Sequence, residues 1–113
     1  MKKVLRSAAT HRRYLAHLKS GKGKPLNELP VVKEFKHFLI VDNEFPHDKL
    51  ADRHHLLIPK RRVANWYELG WREYRELTRI HWELGQEYDC IKLNYPSLLT
   101  VHDWVHFHLY NLK

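Results

Sequence analysis

Near the carboxy terminus, the stretch Val101–Tyr110 places His102, Trp104, His106 and His108 at alternate positions. An imidazole titrates close to neutrality, so it can act as a nucleophile, an acid or a metal ligand under physiological conditions. Three chemistries are open to this group. One histidine can attack phosphorus while a second handles the phosphate oxygens or the leaving group. Alternatively, His106 and His108, two residues apart on one strand face, can chelate zinc with His54 or His102 as a third ligand. Against that, no carboxylate joins the cluster and no familiar zinc spacing is present. The last possibility is a structural set of hydrogen-bonded rings. Two histidines on one face beside Trp104 favour a functional role over a structural one, and the face is expected to be a working surface.

The elements that position these residues follow from periodicity. In a strand, side chains alternate between faces, so Val105, Phe107 and Leu109 form a core face opposite His102, Trp104, His106 and His108. Upstream, Phe35–Val41 is an almost unbroken apolar run and reads as a central strand covered on both sides. Asp42-Asn43-Glu44-Phe45-Pro46 ends it with turn residues. His54–Ile58 is a second apolar strand, stopped by Pro59, with Lys60 in water at its end. Cys90–Asn94 reads as a third strand. Helices are predicted over Lys2–Leu18, with a thin stripe of Val4, Ala8, Leu15 and Leu18, and over Trp66–Leu84. The second helix has Asn65 and Glu68 in a capping-box pattern, and Leu69, Leu77, Ile80 and Leu84 recur at helical spacing. Trp66, Trp71 and Trp82 are expected to pack rather than to stack on bases. Ser20–Pro25 is a basic loop without the spacing of a phosphate-binding P-loop. Hairpin strands with one long helix across them give an α+β class with an antiparallel sheet, in which the histidine strand lies in the interior.

Length and charge bound the function. The 113 residues suffice for one domain with one core. Residues 1–24 form an amino-terminal helix and loop, and 31–111 form the core. Twenty Lys and Arg against 13 Asp and Glu leave a net charge of +7, which favours phosphate-bearing partners: nucleotides, nucleic acid or an anionic surface. Cys90 stands alone, which excludes an intrachain disulfide and any multi-cysteine zinc site and suits a reducing, cytoplasmic setting. No uncharged apolar run approaches membrane-spanning length, so no membrane association is expected. The basic start at Met1–Arg6 lacks the apolar core of a signal peptide.

Val105-His106-Phe107-His108-Leu109 resembles the signature strand of the histidine-triad (HIT) superfamily, His-φ-His-φ-His-φ-φ. His54-His55-Leu56-Leu57-Ile58-Pro59-Lys60 is similar to that family's His-x-φ-φ-φ-Pro-Lys strand. Asn43, three before Pro46, stands where the family keeps a ribose-binding Asp or Asn, and Asn94 stands near its Asn ahead of the triad. The resemblance spans Phe35–Leu109. It implies a five-stranded antiparallel sheet, frequent homodimerisation, nucleotide or nucleotide-conjugate substrates and metal-free cleavage at the α-phosphorus through a nucleotidyl-histidine. Carried over by position, it makes His106 the nucleophile and His108 the residue that stabilises the phosphate and assists the leaving group. His54, Asn43, Asn94, Thr100, His102 and Trp104 become nucleotide-binding candidates. Trp104 replaces the first histidine of the triad, although its main-chain carbonyl can still hold the nucleophile's other ring nitrogen. Pro96–Thr100 replaces the family's Gly-rich approach. A register one step later, with Tyr110 third, fits the φ positions less well. The expected activity is therefore nucleotidyl hydrolysis or transfer; the alternative is a non-catalytic nucleotide- or RNA-binding module with a degenerate triad.

Overall fold

The computed structural model describes residues 5–21, 25–94 and 103–113. Its elements run in the order α1 (Ala8–Ser20), β1 (Val31–Glu34), β2 (Phe38–Asp42), β3 (Ala51–Pro59), α2 (Trp71–Leu84), β4 (Cys90–Lys92) and β5 (Phe107–Leu112), with short 3-10 turns at Leu26–Glu28 and Trp66–Glu68. The five strands form one antiparallel sheet in the order β1-β2-β3-β5-β4. The α+β class and the interior position of the histidine strand agree with the sequence reading.

The alternation along β2, β3 and β5 sorts their side chains between two faces. On one face Phe38, Ile40, Leu57, Phe107 and Leu109 join Val105 under Leu69, Ile80 and Leu84 of the α2 region. On the other, Val41, Leu56, Ile58 and Trp104 pack with Leu26. His54 pairs with Tyr110 across β3 and β5, and Leu56 pairs with His108, so His54 and His108 are diagonal neighbours on the side away from α2.

Several expected boundaries move. The last strand begins at Phe107, not Val101. Trp104 lies in a bend, and Val105 and His106 lead irregularly into the strand, tied by the Val105 amide to the Val63 carbonyl at 2.7 Å. Positions 101 and 102 lie outside the described residues. The long helix begins at Trp71, because Asn65–Glu68 is spent on the 3-10 turn. The Glu73 carboxylate accepts the Gly70 amide at 2.7 Å, so the helix is capped three residues before its Glu, but five residues later than expected. α1 starts at Ala8 with Ser7 as its N-cap, and Leu15 and Leu18 are exposed rather than core. What docks α1 is polar: Asp48 accepts the Ser7 amide, the Ser7 hydroxyl and the Thr10 hydroxyl at 2.5, 2.8 and 2.7 Å. β1 was not anticipated; its four residues are all exposed, and two valines followed by Lys33 and Glu34 give neither an alternation nor an apolar run long enough to mark a strand. Lys60 is paired with Glu34 at 2.6 Å rather than free in water. Trp66, Trp71 and Trp82, expected to pack, are 48, 66 and 81% exposed.

Candidate functional site

The site is a stack of imidazoles on the face away from α2. β5 presents His108 and Tyr110, β3 presents His54, the approach to β5 presents His106, and the turn after Pro46 presents His47. The expected open surface is not there: His47, His54, His106 and His108 are only 3–8% exposed. Their rings lie close together, with centroids 5.2 Å apart for His106 and His108, 5.0 Å for His54 and His108, and 4.4 Å for His47 and His54.

Hydrogen bonding sets the tautomers. The His47 amide can only donate, and it lies 2.9 Å from Nδ1 of His54. Neutral His54 therefore carries its proton on Nε2. That Nε2–H points at Nδ1 of His108 at 2.8 Å, so His108 in turn carries its proton on Nε2. Independently, Nδ1 of His106 lies 3.0 Å from the main-chain oxygen of Trp104, which can only accept. The ring must donate from Nδ1, leaving a lone pair on Nε2. Among the described residues, that Nε2 has no hydrogen-bond partner.

Burial keeps these rings neutral. Desolvation, reinforced by nearby cations and neighbouring imidazoles, lowers the pKa of His47 to about 4, of His54 to about 3 and of His108 to about 2. His106 is also lowered by burial, partly offset by its bond to Trp104. The cations are Arg6, whose Nε donates to the Phe45 carbonyl at 2.7 Å, and Lys92, whose ammonium sits 5.5 Å from the Tyr110 ring centre.

The sequence-derived candidates divide. His54, His106 and His108 are brought together. Asn94 places its amide nitrogen 3.4 Å from Nε2 of His108. With the amide oriented oxygen-first, it would accept the His108 proton. Asn43 does two jobs: its oxygen accepts the Phe45 amide at 2.9 Å, which makes the turn, and its nitrogen lies 3.2 Å from Nδ1 of His54. Trp104 contributes its carbonyl, while its 4%-exposed indole is packed away and donates to the Pro59 carbonyl at 2.9 Å. Thr100 and His102 lie outside the described residues.

His47, Arg6 and Lys92 were missed. His47 joins through a turn and a bond of its Nδ1 to the Tyr110 hydroxyl at 2.7 Å, and no period in the sequence marks it. The one available signal was a histidine directly after the Pro46 that ends the Asn43 turn.

His47, His54 and His108 offer ring nitrogens within 4.8 Å of one another and are the donor set a metal would use. Binding one there would break the His54–His108 hydrogen bond and displace the proton that it shares. His106, weighed as one of a zinc-chelating pair with His108, is not in this group among the described residues.

No family model matches the sequence, and no curated protein does. Among solved structures, the crystal structure of a HIT family hydrolase from Legionella pneumophila Philadelphia 1 is similar, with 22% identity and a TM-score of 0.57 over 88% of this chain and 91% of that one. This chain therefore has a HIT-like fold: a five-stranded antiparallel sheet with a long helix across one face and the histidines on the other.

Proposed function

We propose that this protein is a nucleotidyl hydrolase or transferase that works at the α-phosphate of a nucleotide conjugate, with His106 as nucleophile. The observation that carries this is the tautomer pair: a bare Nε2 on His106 beside an Nε2–H on His108. The His106 lone pair forms a bond to phosphorus, and the bond to the leaving group breaks with its electron pair on that group, which takes a proton from water. The ring becomes a nucleotidyl-imidazolium whose Nδ1–H still faces the Trp104 carbonyl. Neutral His108 supplies a hydrogen bond to a phosphate oxygen or the leaving atom. Water then attacks phosphorus, the P–N bond returns its electrons to Nε2, and a proton leaves to solvent. An acceptor other than water gives transfer. Arg6 and Lys92 supply positive charge, and Asn43, His54 and Asn94 the polar contacts around the nucleotide. The solved neighbour named as a hydrolase supports this reading.

The burial of His106 and His108 favours one second reading, a nucleotide-binding module without turnover. A panel of nucleoside phosphoramidates and dinucleoside polyphosphates separates the two. Wild type should turn over at least one substrate, His106→Ala should lose roughly a thousandfold or more in kcat, and acid-quenched wild type should carry a nucleotidyl mass on His106. Activity should persist in chelator. Binding by both proteins with turnover by neither establishes the module; turnover retained in His106→Ala removes the nucleophile.

A further inference from the structure

We propose that the exposed face of α2 binds single-stranded nucleic acid, at a site separate from the imidazoles. Trp71, Arg72, Arg75, Arg79 and Trp82 fall within an arc of about 100° at 3.6 residues per turn, and all five are exposed. Trp71 is 66% and Trp82 81% exposed, about 16 Å apart along the axis at 1.5 Å per residue. At the amino-terminal end of this stripe is a cavity of about 390 Å³ lined by Lys36, Lys60, Arg61, Trp71 and Arg72. A second cavity of about 220 Å³ shares Lys36, Trp71 and Arg72 with the first and is also lined by Arg75, Glu76 and Arg79.

Of the three acidic residues on α2, Glu73 and Glu76 are already engaged, while Glu83, one turn beyond Arg79, is exposed at the edge of the stripe. Glu73 binds Arg61 at 2.8 Å and the Gly70 amide, and Glu76 accepts the His37 amide at 2.7 Å and lies 3.6 Å from that residue's Nδ1. Lys36, Arg72, Arg75 and Arg79 have no carboxylate partner among the described residues; Arg72 lies instead over the Trp71 ring at 5.3 Å. Arg75 and Arg79 are like charges one turn apart, a spacing that opposes the helix until an anion neutralises it.

This pattern selects its occupant. A row of free cations tracks a phosphate backbone, and exposed indoles stack on unpaired bases, which a duplex does not present. A second copy is disfavoured, because a two-fold interface sets the same patch against itself and brings these arginines together. The helix lies on the Phe107 and Leu109 face, so the site does not depend on the imidazole chemistry.

Fluorescence anisotropy of the full chain with labelled oligo-dT, oligo-U and duplex probes of about 12 nucleotides tests it. Both single strands should bind more tightly than the duplex, with the two single strands distinguishing DNA from RNA as the preferred source. Arg72→Gln/Arg75→Gln/Arg79→Gln should lower the magnitude of the log–log salt slope by about 2. The double variant Trp71→Ala/Trp82→Ala should weaken binding roughly 30-fold or more. Both variants alter exposed side chains, and circular dichroism should show wild-type folding. Turnover at the imidazole site, where present, should be unchanged. The proposal is overturned by no single-strand binding at low salt, by equal or tighter duplex binding, or by unchanged affinity in either variant. A tryptophan-dependent dimer that ignores the probes also overturns it and assigns the face to a second copy.

Discussion

Trp104 shows how a residue can depart from a pattern and still serve it. Its position in the pattern calls for a carbonyl, which any residue supplies, and that oxygen accepts from Nδ1 of His106. Its side chain is committed elsewhere, packed with Leu26, Val41, Leu56 and Ile58 and bonded to Pro59. Trp104→Phe should therefore cost about 1–3 kcal/mol in stability, from a lost hydrogen bond and a small void. Turnover of a substrate accepted by wild type should stay within about threefold, since the main-chain oxygen remains; a loss as large as that of His106→Ala would show that the indole itself reaches the substrate. Urea titration and steady-state kinetics on one preparation read both quantities.

At the scale of elements, two capping patterns compete for the start of the long helix. Asn65 and Glu68 have the right spacing, but the chain between them closes a 3-10 turn, with Asn65 Nδ2 3.4 Å from Glu68 Oε1. Gly70 and Glu73 make the cap that holds, because Glu73 is 7% exposed and anchored by Arg61. Glu73→Ala should then destabilise by about 1–2 kcal/mol, losing the amide acceptor and the ion pair together, whereas Asn65→Ala should stay within about 0.5 kcal/mol. The reverse ranking in urea midpoints would return the helix start to Asn65. The tryptophans failed for a related reason. Periodicity locates an apolar arc from Leu77, Ile80 and Leu84, but it does not say that large rings outside that arc face water.

Across the whole molecule, the buried imidazoles couple stability to pH. Burial lowers the folded pKa values of His47, His54, His106 and His108 below the ordinary 6.5. Below that value the unfolded chain takes up protons that the folded chain refuses, so stability falls as pH falls. The loss begins near pH 6.5 and continues towards the folded values, about 4 for His47 and lower for His54 and His108. Each ring contributes up to about 1.4 kcal/mol per pH unit, so His47, His54 and His108 together give a slope of up to about 4 kcal/mol per unit between about pH 6 and 4.5, and His106 adds to it in the same direction. Urea unfolding at fixed ionic strength measures it. A flat profile there would mean that the rings already titrate in the folded state.

By itself the amino-acid sequence determined the class, the interior strand and the facing of His106 and His108, because each rests on local periodicity or on a motif within a few residues. It also placed His54 and Asn94 near them through the resemblance. Tertiary structure alone decided that the rings are buried, that His47 completes the stack and that their protons run from His47 through His54 to His108. The His47–His54 bond spans seven positions, but the bonds that join these two residues to β5, His54–His108 and His47–Tyr110, span 54 and 63. A hydrogen bond between residues so far apart leaves no period in the sequence, and the sense of each ring is fixed only by the partner that folding brings to it.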